Sequence, residues 1–246
     1  DKLTLARAQA TLSAELKAKL SPYCTHVKHH GGVKRSLRLL VRVLPAFCYV
    51  ARFDVARYYE SIDHAVLLRL LQTLQVRQAS ELIVQQYLAL PDRRNTGKGM
   101  IASGSLSTLL GAVMLTSLDQ VMAAEIRTGR IWYIRYMEDF VVLAKTRHHF
   151  RRTMKKVHDV MRHLKLRLHR QQKCFIGKTN IGFDFLGYQV CPNQKLYPSV
   201  VSIQRLTDRY RRLYEQGGNL ERLRQDLERW CCWLWGGLRE LVLLEG

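Results

Sequence analysis

Three carboxylates in this chain stand where side chains of their kind are costly. Glu138 and Asp139 lie side by side between two apolar runs, Trp132-Tyr133-Ile134-Arg135-Tyr136 and Phe140-Val141-Val142-Leu143-Ala144. Both runs are short and rich in aromatic and β-branched residues, which predicts two strands joined by a tight hairpin. The connection carries no Gly, Asn or Pro, the residues that make such a turn easy. Adjacent like charges on a buried hairpin repel each other and lose hydration, and a cation would relieve both. A third acid, Asp54, ends another apolar run, Phe47-Cys48-Tyr49-Val50-Ala51-Arg52-Phe53. Two carboxylate sites, each at a strand end, are the minimum needed to hold two Mg²⁺ ions for in-line phosphoryl transfer.

The elements that must position these acids can be read from periodicity. Residues 1–20 read as a short amphipathic helix. Residues 21–45 are polar, basic and glycine-containing. Residues 47–54 read as a strand. Asp63 is placed to cap a helix over Ala65-Val66-Leu67-Leu68-Arg69-Leu70-Leu71. A further helix over 81–89 is stopped by Pro91, and a polar basic loop runs to Gly99. Leu106, Leu109, Leu110, Val113, Met114 and Val121 fit one long helix from Ser105 to about Ile126. From His148 to about Leu166 a helix with a cationic face is predicted. Strand-like runs follow at Lys173–Gly177 and Phe183–Val190. Beyond Pro198 two Arg-rich helices, broken at Gln216-Gly217-Gly218-Asn219, end in Trp230, Trp233 and Trp235.

Composition narrows the partners. The chain has 246 residues, is 47% hydrophobic and carries a formal net charge of +20. That apolar content supports a substantial core. The charge, spread along the whole sequence, calls for a polyanion held in a folded groove, and nucleic acid fits better than an anionic membrane. No apolar run reaches the ~18 residues of a membrane-spanning helix. The first residue is Asp rather than Met, as in a fragment, a processed form or a trimmed chain, and no secretory segment opens it. The six cysteines, Cys24, Cys48, Cys174, Cys191, Cys231 and Cys232, form no CxxC pair. They read as reduced thiols of a cytoplasmic protein. Cys24-Thr25-His26 with His29-His30 does not match a standard zinc spacing.

Taken in order, these residues resemble the reverse transcriptase family, specifically its bacterial branch of group II intron-type and related retroelement enzymes. The resemblance runs from about Cys24 to Leu238. Phe53-Asp54-Val55-Ala56-Arg57-Tyr58-Tyr59 looks like the first catalytic motif. It implies that Asp54 binds both metals, that the Val55 carbonyl binds one, and that Tyr59 is the steric gate against a ribose 2′-hydroxyl. As residue types alone, Tyr58 and Tyr59 serve equally well as packing aromatics. Ile101-Ala102-Ser103-Gly104-Ser105-Leu106-Ser107-Thr108-Leu109-Leu110-Gly111-Ala112 looks like the second motif, which implies nucleotide contacts at Ser103 and Gly104. Pro then Gln or Arg is usual in the family where Ala102 and Ser103 stand here. Tyr136-Met137-Glu138-Asp139 looks like the Tyr-x-Asp-Asp hairpin, with Glu138 in place of the usual first Asp. The extra methylene moves that carboxylate by ~1 Å or more.

Further matches imply further roles. Lys173, after Leu164-Lys165-Leu166-Arg167-Leu168-His169, corresponds to a lysine that donates a proton to, or positions, departing pyrophosphate. Gly182-Phe183-Asp184-Phe185-Leu186-Gly187-Tyr188 resembles the primer grip, placing Phe185, Leu186 and Gly187, together with Arg135, against nucleic acid. Lys34 and Arg35 sit where the fingers hold template and triphosphate.

The fold implied is α/β of the α+β kind. It is a right-hand polymerase with an antiparallel palm sheet, a fingers segment and a helical thumb. Residues 1–198 would form fingers and palm, and 199–246 a thumb-like segment. The function implied is RNA-directed DNA polymerisation, with an RNA template, a DNA primer, dNTP and two Mg²⁺ ions, for which Mn²⁺ can substitute. The departures at Ala102-Ser103 and Glu138 leave a second reading open: a catalytically impaired homologue that binds structured intron or element RNA in the manner of a maturase.

Overall fold

A computed structural model describes residues 10, 12–16, 18–90, 97–102, 105–170, 174–217 and 220–242. Its centre is a four-stranded antiparallel sheet built from β1 (Tyr49–Phe53), β2 (Ile131–Tyr136), β3 (Asp139–Ala144) and β4 (Phe175–Lys178), in the order β2-β3-β1-β4. Period-two alternation sorts its side chains onto two faces. Ala51, Phe53, Tyr133, Phe140, Val142 and Ala144 point into one core, and Val50, Ile134, Val141 and Leu143 into the other. Both faces are covered, so β3 is buried at Phe140 and throughout Val141–Ala144, as its unbroken apolar run predicts.

The first face is covered by α3 (His64–Thr73), α5 (Ser105–Met114), α6 (Thr116–Ile126) and α7 (Arg147–His163), with α4 (Gln78–Leu88) packed on α3. Asp63 caps α3 as predicted, its carboxylate accepting from the Val66 amide at 3.1 Å. Thr146 caps α7 by accepting from His149 N–H. The second face is covered by α1 (Gly32–Val43) and by a small sheet of β5 (Phe183–Phe185), β6 (Tyr188–Val190) and β7 (Leu196–Pro198). The chain ends in α8 (Val200–Glu215) and α9 (Leu220–Val242), and α9 packs on α1 and β7. A short helical turn, α2 (Tyr58–Ser61), follows β1.

The structure differs from the sequence expectations at three places. The long helix expected from Ser105 to Ile126 is two helices bent by 49° at Leu115. The Thr116 hydroxyl donates to the Val113 carbonyl at 2.7 Å, which satisfies a carbonyl at the end of α5. Residues 21–45 contain α1, whose amphipathic face Leu37, Leu40 and Val41 is buried beneath a basic exterior. Within the strand-like run Phe183–Val190 the hairpin that the primer-grip resemblance implies is present, with Leu186 and Gly187 both at positive φ in its turn. β7 had no counterpart in the sequence reading. No single described helix is long and apolar enough to cross a membrane.

Candidate active site

The sheet brings Asp54 and Asp139 to one end and one face. Asp54 follows the last residue of β1, Asp139 opens β3, and Phe53 pairs with Phe140 between them. Counting by two from Val50 and from Val141 places Arg52, Asp54 and Asp139 on the same side of the sheet. The electrostatics agree. Burial raises the Asp139 carboxyl above its ordinary value, Arg52 opposes that rise, and the charge of Asp54 adds to it. Arg52 Nε donates to Asp139 Oδ1 at 3.2 Å, and its Nη1 donates to Asp184 of β5 at 3.3 Å. His169 Nε2 lies 3.6 Å from Asp54 Oδ1. The backbone of 54–56 continues beside 167–169, with His169 N–H bonded to the Asp54 carbonyl and Ala56 N–H to the Arg167 carbonyl. These bonds flank the Val55–Leu168 pair, so the carbonyl of Val55 points away from that partner.

Glu138 occupies the two-residue turn between Tyr136 and Asp139. Met137 supplies the left-handed conformation the turn requires, at φ 55°. For a side chain with a Cβ that costs about 1–2 kcal/mol. The charge of Glu138 reaches the tyrosines after β1. Burial and then Glu138 push the Tyr59 hydroxyl up to about 12. The fully buried Tyr58 hydroxyl is likewise raised, chiefly by burial. Tyr58 donates to the Gly111 carbonyl on α5 at 2.5 Å. A Cβ at Gly111 would stand 3.2 Å from the Tyr58 ring and 3.3 Å from the Tyr59 ring, so an added methyl would press on both rings.

Hard carboxylate oxygens and a strand-end carbonyl are the donor chemistry that suits Mg²⁺. Asp54 and Asp139 lie within each other's field with Arg52 as the cation between β1 and β3. Among the described residues, no three Asp, Glu, His or Cys side chains gather into one ligand cluster. Asp139 is drawn towards Arg52, while Glu138 acts on the two tyrosines.

The remaining predicted residues divide. Lys34 and Arg35 are exposed on α1, and the Lys34 stem lies against Gly236 of α9. Leu186 and Gly187 form the half-buried turn of the β5–β6 hairpin, with Gly187 against the Trp233 ring. Ser103, Gly104 and Lys173 lie outside the described residues. Two assignments are corrected. Arg135 is completely buried and forms a two-point ion pair with Asp119, Nε to Oδ1 at 2.9 Å and Nη2 to Oδ2 at 2.5 Å. Phe185 is also completely buried, in the second core. Neither side chain can meet nucleic acid, because alternation turns each inward.

Arg52, Asp184, His169 and Gly111 were missed. Arg52 was within reach of sequence reasoning, because it stands two residues before Asp54 on the same strand. Asp184 alternates with two core phenylalanines in the same way. His169 and Gly111 fall inside the matched stretches Leu164–His169 and Ile101–Ala112, but nothing local gives either a role.

An antiparallel palm sheet with acids at one end, flanked by helices, is a right-hand polymerase fold. The family model for reverse transcriptase (RNA-dependent DNA polymerase) matches residues 9–190, and the chain belongs to that family. The solved structures similar to it include telomerase from Candida albicans in complex with a fragment of telomeric RNA, at TM-score 0.60 and 11% identity, covering 85% of this chain and 41% of that one. Telomerase from Candida tropicalis in complex with the corresponding fragment gives TM-score 0.61 at 11% identity, covering 92% and 45%. The apo form from Candida tropicalis gives 0.60 at 12%, covering 84% and 42%. The chain therefore spans less than half the length of these structures, and at such identity the likeness is one of fold. Among curated proteins none matches it.

Proposed function

We propose that this chain is an RNA-directed DNA polymerase of the group II intron-type branch, extending a DNA primer on an RNA template. The observation that carries the reading is the meeting of Asp54 and Asp139 at one end of the palm, with Glu138 in the adjoining turn and Tyr59 within reach of its charge. Asp54, Glu138, Asp139 and the Val55 carbonyl would hold two Mg²⁺ ions. When bound, these lower the pKa of a primer 3′-hydroxyl and stabilise the leaving oxygens of dNTP. Arg52 fixes one oxygen of Asp139 and so sets where its other lone pairs point. Tyr59, whose ring lies against Gly111, would act as the gate that an added 2′-hydroxyl strikes. Lys34 and Arg35, both exposed, would contact phosphates, and Ser103, Gly104 and Lys173 are assigned by motif alone. Residues 1–198 act as fingers and palm and 199–246 as thumb. Binding of template and primer is steeply salt-dependent, given a net charge of +20.

A second reading is favoured by Glu138 itself. A displacement of about 1 Å at a reacting centre can cost ~100-fold in rate. On that reading the chain is a catalytically impaired homologue that binds structured intron RNA. Primer extension on an RNA template with Mg²⁺ and then Mn²⁺, beside Asp54→Ala, separates the two. Extension that disappears in Asp54→Ala supports the polymerase. No extension in either metal, with tight salt-sensitive RNA binding retained, supports the binding protein.

A further inference from the structure

Met137, at the tip of the catalytic hairpin, has both polar groups of its backbone held by side chains. Its N–H donates to His26 Nδ1 at 2.9 Å, and its carbonyl accepts from Arg135 Nη1 at 2.9 Å. Arg135 is fixed in turn by Asp119. His26 is fixed by its backbone neighbours. Residues 23–25 run parallel to β2, with Thr25 N–H bonded to the Arg135 carbonyl at 2.8 Å and Arg135 N–H to the Tyr23 carbonyl at 2.9 Å. That pairing delivers the imidazole to the turn, edge-on to Tyr136 with ring centroids 5.9 Å apart.

The second imidazole nitrogen faces the other half of the site. His26 Nε2 lies 3.5 Å from the Thr108 carbonyl on α5. Thr108 also hydrogen-bonds Tyr59, and one turn further along α5 Gly111 receives both tyrosine rings. One tautomer satisfies both contacts: Nδ1 bare to accept from Met137, Nε2 protonated to donate to Thr108. Burial and the Arg135 charge push His26 down to about 4, which keeps the ring neutral at ordinary pH. The Cys24 thiol, 3.5 Å from Nδ1, is pushed up to about 11 by burial and stays protonated. It brings a second weak donor to the same nitrogen.

We infer that His26 is a positioning residue for nucleotidyl transfer: it holds the Met137 peptide, and through it the Glu138 and Asp139 carboxylates, in register with the helix that backs Tyr59. The inference rests on the polymerase reading for its kinetic consequence, but the clamp itself does not.

Two variants separate the accepting nitrogen from the ring. His26→Phe keeps an aromatic against Tyr136 and removes the acceptor. His26→Asn places Oδ1 near the position of Nδ1 and keeps it. For His26→Phe, kcat is expected to fall by about 10–100-fold, the cost of an error of about 1 Å at the reacting centre. KM for dNTP and the primer–template Kd should stay within about twofold of wild type. His26→Asn should restore kcat to within several-fold. In parallel, amide exchange of Met137 is read by NMR, with far-UV circular dichroism as the fold control. Protection should be lost in His26→Phe and kept in His26→Asn. Equal kcat and equal protection in wild type and His26→Phe would overturn the inference, as would an Asn variant as impaired and unprotected as the Phe variant. If the wild-type chain does not polymerise, the exchange pattern alone decides the clamp, so failure of one reading is not mistaken for failure of the other.

Discussion

Arg52 and Asp139 face each other across neighbouring strands, with Nε 3.2 Å from Oδ1 and the arginine residue only 8% exposed. The same guanidinium reaches Asp184, and Asp54 bears on Asp139 from the end of β1. Arg52 thus serves two carboxylates of the site at once. Removing it leaves like charges crowded in a half-buried place, where a divalent ion becomes the main source of relief. Arg52→Met should therefore be less stable than wild type without metal. It should also gain more from Mg²⁺, with a rise in Tm a few degrees larger than that of wild type, corresponding to about 1–2 kcal/mol. Thermal melts with and without Mg²⁺ measure this, and equal shifts in the two proteins would sink the idea.

Glu138 stands where the resemblance to the Tyr-x-Asp-Asp hairpin implies an Asp. Shortening it to Asp keeps the charge and withdraws the carboxylate towards the hairpin. Glu138→Asp should raise the single-turnover rate of primer extension, by about 10–100-fold if the carboxylate now sits about 1 Å out of place. Primer–template affinity should not change, since backbone phosphates dominate it. A rate unchanged or lowered by the substitution would mean that the palm has adapted to glutamate.

Gly111 backs the ring of Tyr59, the residue proposed as the sugar gate. Adding a methyl to it presses on Tyr58 and Tyr59 at 3.2–3.3 Å, tighter than ordinary contact, so the rings must yield by a few tenths of an ångström. Gly111→Ala is expected to lower kcat for dNTP several-fold with the fold intact, whereas Tyr59→Ala should relax discrimination against ribonucleotides by about 10–100-fold. Competing dATP and ATP in single-nucleotide extension reads both. Unaltered selectivity in Tyr59→Ala would remove Tyr59 from the gate.

Much of this was legible in the sequence. The three acids, the strands that carry them and the Asp63 cap follow from local rules: apolar runs of strand length, alternation, and a capping carboxylate before a helical pattern. What was not legible depends on distance along the chain. Arg135, expected at the nucleic-acid interface, is a core residue. Its inward direction follows from alternation, but its acceptability in a core depends on Asp119, sixteen residues earlier on another element. The break at Leu115 hides inside a continuous helical pattern, since apolar spacing does not register a bend. The Met137 turn, which lacks glycine, makes sense only once His26 is brought to it from more than a hundred residues away.

The Arg135–Asp119 pair carries its own test. Both side chains are essentially excluded from solvent. Deleting one partner leaves the other charged and unmatched, which costs about 3–5 kcal/mol, whereas replacing both with apolar residues costs much less. Asp119→Ala should lower the unfolding free energy by that amount in denaturant titrations, and Asp119→Leu with Arg135→Met should recover most of it. Salt-dependent RNA affinity measured on the folded double variant should match wild type. A loss of affinity there would return Arg135 to the nucleic-acid interface.

Asp63 gives the fold a pH dependence of predictable sign. Burial opposes its ionisation, but the Lys165 ammonium at 2.8 Å and the Val66 amide outweigh burial and hold the carboxyl below its ordinary value. The folded state therefore binds fewer protons than the unfolded state between the two pKa values. The stabilisation is present above the unfolded value of about 3.9 and is lost as pH falls through the lower, folded one. Asp63→Asn keeps a capping oxygen and loses the charge, whereas Asp63→Ala loses both. At neutral pH the Ala variant should be less stable by about 1–2 kcal/mol and the Asn variant by less. The gap between wild type and Asn should close as pH drops below the folded pKa. Urea titrations at pH 7 and at successively lower values down to about 3 test the sign, and a gap that widens on acidification would mean that the Lys165 contact does not hold Asp63 ionised.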